Sequence, residues 1–79
     1  VDIFFIDPPY ATDLCARALE AIDSLDLLAS NGIIIAEHDR RDSLPERVGG
    51  LVLYRDKKYG RVVLSFYVRE DSAYVRGEE

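Results

Sequence analysis

The sequence predicts an α/β fold: two parallel strands joined by a helix, then an antiparallel hairpin on the same sheet. Three observations carry this. The runs VDIFFI (1–6) and GIIIAE (32–37) are apolar on both faces, as strands buried in a parallel sheet are. Between them, apolar residues recur at helical spacing. After Gly50, two runs of β-branched, aromatic and leucine residues flank a glycine-bearing turn.

The first strand stops at Asp7-Pro8-Pro9, because neither proline offers an N–H to a ladder. Thr12 or Asp13 is the N-cap expected for the helix, whose stripe runs Leu14, Ala18, Ile22, Leu25 and Leu28, widened by Cys15 and Leu19. Asn31-Gly32 is the expected left-handed exit, and residues 32–37 form the second strand. Residues 39–50 are polar and read as irregular, with at most one helical turn around 44–48. Residues 51–54 and 61–68 are the hairpin strands, with Lys57-Lys58-Tyr59-Gly60 between them and Gly60 at positive φ. The two regions are therefore 1–68, which carries the fold, and 69–79, a charged, aperiodic tail expected to fray.

At 79 residues the chain has room for one thin core. Its 48% hydrophobic and 32% charged residues are those of a folded protein rather than a disordered one. No run reaches the roughly 18 apolar residues of a membrane helix, so no membrane partner is expected. One cysteine can form neither an internal disulfide nor a zinc cluster, which points to the cytoplasm and to no metal. The net charge of −5 argues on average against nucleic acid, but the average hides a segregation. Residues 40–61 hold seven basic against three acidic residues, and the remainder three against twelve. Such a division can give one face a positive field within an acidic molecule.

Asp7-Pro8-Pro9-Tyr10 is the most informative tetrapeptide. It follows a parallel strand at its carboxyl end, where open α/β sheets bind ligands. The Asp7 carboxylate and the Pro8 carbonyl can face outward as paired acceptors. Two such acceptors hold the N–H groups of an exocyclic amine and leave its lone pair aimed elsewhere. Tyr10 adds a ring on which a base can stack. The same residues, read alone, also compose a strand stop and turn.

Asp-Pro-Pro-Tyr after an apolar strand resembles motif IV of the amino-methyltransferases. The helix and Gly-Ile-Ile-Ile-Ala-Glu-His-Asp, then Leu44-Pro45, Lys58-Tyr59-Gly60 and Leu64-Ser65-Phe66-Tyr67, narrow the likeness. Together they resemble the C-terminal half of the bacterial small-subunit (16S) rRNA guanine-N2 methyltransferases, over residues 1–68. The resemblance implies half of a Rossmann-like class I methyltransferase sheet, S-adenosylmethionine as cofactor and ribosomal RNA as partner. It further implies that Asp7 and the Pro8 carbonyl hold the guanine 2-amino group, that Pro9 fixes the loop, and that Tyr10 stacks on the extruded base. In-line attack on the methyl carbon would then be promoted by positioning and desolvation.

The five glycines, Gly32, Gly49, Gly50, Gly60 and Gly77, do not form the glycine-rich turn by which such relatives bind S-adenosylmethionine. The cofactor-binding residues are therefore expected outside this sequence, and the isolated chain is expected to be inactive. The strand 1–6 would then be a flat apolar edge, expected to self-associate. Two rivals stay open: a DNA adenine-N6 methyltransferase fragment, and a non-catalytic edge-pairing module.

Lesser signals are His38, which follows the second strand and reads as a structural turn histidine or a contact to base or phosphate, and the cations Arg40, Arg41, Lys57, Lys58 and Arg61, which suit RNA phosphates or simple solvation. Ser43, His38 and Asp39 hold the letters of a triad without a nucleophile elbow. Cys15, on the apolar stripe, reads as inert core.

Overall fold

The computed structural model describes residues 2–7 and 12–76. Strand β1 (Ile3–Ile6) leads through helix α1 (Thr12–Ser24) to strand β2 (Ile33–Asp39). Strands β3 (Arg47–Val48), β4 (Leu51–Tyr59) and β5 (Val62–Arg69) follow, and then one helical turn, α2 (Ala73–Arg76). The five strands share one mixed sheet in the order β1-β2-β5-β4-β3. β1 and β2 are parallel, with Phe4 opposite Ile34 and Ile6 opposite Ala36. β5 runs antiparallel to both β2 and β4. The parallel pair with its helix and the hairpin on the same sheet are thus both present.

One face of the sheet makes the core. Ile34, Leu51 and Tyr67 are buried beneath Leu19 and Ile22 of α1 and Leu28 after it, with Phe4, Ile6, Leu44, Val48 and Leu53 packed around them. Strand alternation sends the neighbouring residues to the other face, where Ile3 and Phe5 on edge strand β1 are 65% and 59% exposed.

Several elements differ from the sequence expectation, each for a local reason. The buried stripe of α1 is Cys15, Leu19 and Ile22, whereas Leu14 and Leu25 are exposed. α1 ends at Ser24, so the helical period no longer governs Leu25. The left-handed residue after the helix is Asp26 (φ 52°), and not Asn31 or Gly32. Gly32 serves close packing instead: a Cβ there would meet Leu28 Cδ1 at 2.7 Å and the Asp2 carbonyl at 2.8 Å. Asn31 accepts the Ala73 amide through Oδ1 at 3.1 Å. In place of a helical turn at 44–48, Arg47 and Val48 pair with β4.

The hairpin is longer than the sequence suggested. β4 continues through Lys57, Lys58 and Tyr59, and Gly60 turns the chain at φ 63°, the positive φ anticipated for it. Leu53 faces Tyr67 and Arg55 faces Phe66, so Tyr54 is an extra residue, a β-bulge. Beyond β5, in the segment expected to fray, the Glu70 amide donates to the Gly50 carbonyl (2.8 Å) and Ser72 is fully buried. The Tyr74 ring lies 5.6 Å from that of the bulged Tyr54. The backbone bonds and this aromatic pair, more than the exposed Arg47–Glu70 ion pair, hold that segment.

Candidate functional site

Asp7 directly follows β1 and is exposed; Pro8, Pro9 and Tyr10 lie outside the described residues. Because β2 runs parallel to β1, its carboxyl end, Glu37-His38-Asp39, comes to the same sheet edge as Asp7. The loop after β2 returns there too: burial first, then the carboxylates of Asp7 and Asp42, push the Cys15 thiol up. Cys15 is fully buried, as read from its stripe, and stays a protonated core thiol.

His38 is a strand residue rather than a turn residue, because β2 extends to Asp39. It faces the same side of the sheet as Ala36 and Ile34. Its Nδ1 lies 3.1 Å from the Asp39 carbonyl. Nε2 lies 2.8 Å from Ser65 Oγ, and the Ser65 hydroxyl donates to Asp56 Oδ1 at 2.6 Å. Ser65 is 1% exposed. A buried serine hydrogen-bonded to a carboxylate is a structural tie, not a nucleophile, which needs the histidine as its base and an open path to substrate. Ser43 and Asp39, the other letters of the sequence triad, are not joined to His38 through side chains: the Asp39 carboxylate binds Arg41 instead.

The tie depends on the bulge. A regular β4 would turn Asp56 and Lys58 to the opposite face, and the extra Tyr54 brings both to the face of His38 and Ser65. Ser65 and Asp56 were missed in the sequence reading. The available signal was one serine in the apolar strand Val-Val-Leu-Ser-Phe-Tyr-Val, in phase with the buried Val63 and Tyr67.

The structure divides the six candidate nucleic-acid contacts. His38, Arg40 and Lys58 line a common cleft. Arg41 and Arg61 gather at Asp39, at 3.2 and 4.0 Å. The Arg41 amide first, and then the Arg41 and Arg61 guanidinium groups, hold the Asp39 carboxyl below the usual aspartate value. The stability this adds is present above pH ~4 and is lost as the pH falls through the lowered value. Lys57, opposite Leu64, faces the other side of the sheet.

A family model described as conserved hypothetical protein 95 matches residues 1–68. The chain belongs to the conserved hypothetical protein 95 family. Over 63 residues it is 43% identical to a Bacillus subtilis protein named "Putative rRNA methyltransferase YlbH", covering 80% of this chain and 34% of that protein. It is 29% identical over 69 residues to the Escherichia coli K12 "Ribosomal RNA small subunit methyltransferase D", covering 87% and 35%. A solved Streptococcus pyogenes structure, described as a conserved hypothetical protein, superposes with a TM-score of 0.79 at 32% identity, over 87% of this chain and 43% of that one. The chain therefore spans about a third of the length of these curated relatives.

Within this segment of the conserved hypothetical protein 95 fold, the described glycines do not build a cofactor cradle. Gly32 is packed against Leu28, Gly49 (φ 58°) lies against the Asp23 carboxylate, and Gly60 sits in the hairpin turn. Among the described residues, no glycine stands between a strand and a helix at the edge that carries Asp7.

Proposed function

We propose that this chain is the C-terminal, acceptor-binding half of a Rossmann-like methyltransferase that modifies the exocyclic N2 amine of a guanine in small-subunit ribosomal RNA, in the cytoplasm. The observation that carries it is the exposed Asp7, at the carboxyl end of β1, opening Asp-Pro-Pro-Tyr in a chain whose relatives are named as rRNA methyltransferases. Asp7 and the Pro8 carbonyl accept the two amine hydrogens and so direct the nitrogen lone pair outward. Pro9 stiffens the loop, and Tyr10 stacks on the base. S-adenosylmethionine is the proposed methyl donor, held by the part of the relatives that this chain does not match.

The test is a chimera in which this chain replaces the matching third of the Bacillus subtilis relative, assayed for methyl transfer to small-subunit RNA. Asp7→Asn puts a donor where an acceptor is needed. It should lower transfer by roughly 10- to 150-fold, the equivalent of one hydrogen bond to a charged group. Full activity in the variant, or methylation of adenine in DNA in place of guanine in RNA, would overturn the reading.

The exposed edge strand β1 supports a second property, self-association of the isolated chain through residues 1–6. Light scattering should show dimers or larger species whose size grows with concentration, and a concentration-independent monomer would refute this.

A further inference from the structure

The cleft onto which His38 opens holds more chemistry than the binding of one amine requires. It measures about 290 Å³ and lies between the loop after β2 and the exposed ends of β4 and β5. Leu44, Leu53 and Val63 give it a small apolar floor within a mostly polar lining, and the His38–Ser65–Asp56 tie fixes one wall. Its lining carries both signs, Arg40 and Lys58 against Asp42, Glu46 and Asp56, the last of which accepts the Ser65 hydroxyl. Among the described residues, Arg41, Arg47, Arg61 and Arg69 each have a carboxylate partner. Arg40 and Lys58 make no ion pair or side-chain hydrogen bond among those residues, so their charges are available to a ligand.

These features constrain the ligand. The volume is at the lower end of small-molecule pockets, enough for one ring-bearing unit and too little for a helix or a folded peptide. The small apolar floor accepts the face of a flat ring, and the polar groups around it meet the ring's edge. Two unpaired cations call for an anionic group at one end. A bare inorganic anion would also meet the carboxylates of Asp42 and Glu46, whereas a ligand carrying its own N–H donors turns those carboxylates into acceptors. A phosphate, a flat ring and ring-borne N–H donors in one unit describe a nucleotide.

We propose that this cleft is a second nucleotide subsite, which holds an RNA nucleotide with an amino-bearing base beside the one presented to Asp7. Arg40 and Lys58 take the phosphate, the leucine and valine side chains take the face of the base, and Asp42 and Glu46 take its N–H edge. The Tyr54 bulge and the Ser65 tie are positioning features that set Lys58 and His38 on this wall. The assignment of RNA as the source rests on the methyltransferase reading; the chemistry of the cleft does not.

The 79-residue chain, labelled with 15N, would be titrated with GMP, guanosine and inorganic phosphate while its amide and imidazole signals are followed. GMP should move the signals of His38, Lys58 and Val63 saturably, with guanosine and phosphate each binding at least about tenfold more weakly, since each forfeits one set of contacts. Lys58→Ala and Arg40→Ala change exposed side chains and should each weaken GMP about tenfold, as loss of one charge-assisted hydrogen bond implies. A short single-stranded RNA should compete with GMP. Phosphate binding as tightly as GMP, no saturable shift at these residues, or no competition by RNA would each overturn the proposal. No methyl group is transferred in these measurements, so they stand or fall separately from the role of Asp7.

Discussion

Replacing Tyr10 by alanine in the chimera is expected to lower methyl transfer by roughly 5- to 150-fold, the rate equivalent of losing about 1–3 kcal/mol of base stacking. S-adenosylmethionine affinity should be nearly unchanged. The separation follows from the proposed role: Tyr10 follows Asp7 in the sequence and is assigned to the base, and no described glycine in this chain forms a cradle for the cofactor. Tyr10→Phe keeps the ring and should retain most of the activity. Calorimetry with the cofactor alone, beside the transfer assay, reads the two effects apart. A Tyr10→Ala variant that lost cofactor affinity and activity together would place the tyrosine in the cofactor site and would refute its assignment to the base.

The second large effect concerns the fold and the loop that shapes the cleft. Tyr67 is fully buried, and its hydroxyl donates to the Pro45 carbonyl, tying the loop after β2 to the sheet. Burial first, and then the Asp56 carboxylate, push its pKa up to about 12. An unfolded tyrosine ionises near 10, so the folded chain holds this proton more tightly than the unfolded one. The associated stability is whole below pH ~10 and is lost as the pH climbs towards 12, about 2–3 kcal/mol in all. Urea midpoints of the wild-type chain should therefore fall across that interval. Tyr67→Phe gives up the hydrogen bond, about 1 kcal/mol at neutral pH, but should lose this base sensitivity. An equally steep alkaline fall in the phenylalanine variant would assign the titration to other groups.

Against a fall of that size, the ion pairs count for little. Arg41, Arg47 and Arg61 are all more than half exposed in their pairs, where such contacts contribute about 0–1 kcal/mol each. The thin core and the buried hydrogen bonds of Tyr67 and Ser65 are what a single substitution can most easily damage.

Some of this was legible in the residues because the signals were local. Runs apolar on both faces identified β1 and β2, Gly60 identified the hairpin turn, and the proline stop after Ile6-Asp7 identified where β1 ends. Other features were hidden because they depend on what lies opposite. The stripe of α1 was drawn too wide: Leu14 fits the helical period as well as Cys15 does, and only the sheet face beneath decides which is buried. His38 looked like a turn residue because charge follows the apolar run, yet pairing with β5 extends β2 through Asp39. The candidate cations formed one group in the sequence and three in space.

The sequence by itself determined the α/β class, the family resemblance and the place of Asp7, since these follow from hydrophobic period, proline chemistry and a contiguous motif. Only the tertiary structure decided that His38, Ser65 and Asp56 form one tie, and that Lys58 but not Lys57 joins the cleft. The reason is the extra Tyr54 in β4. Side chains on a strand alternate, so one added residue exchanges the faces of everything beyond it, and that insertion is defined by the partner strand rather than by the residues of β4.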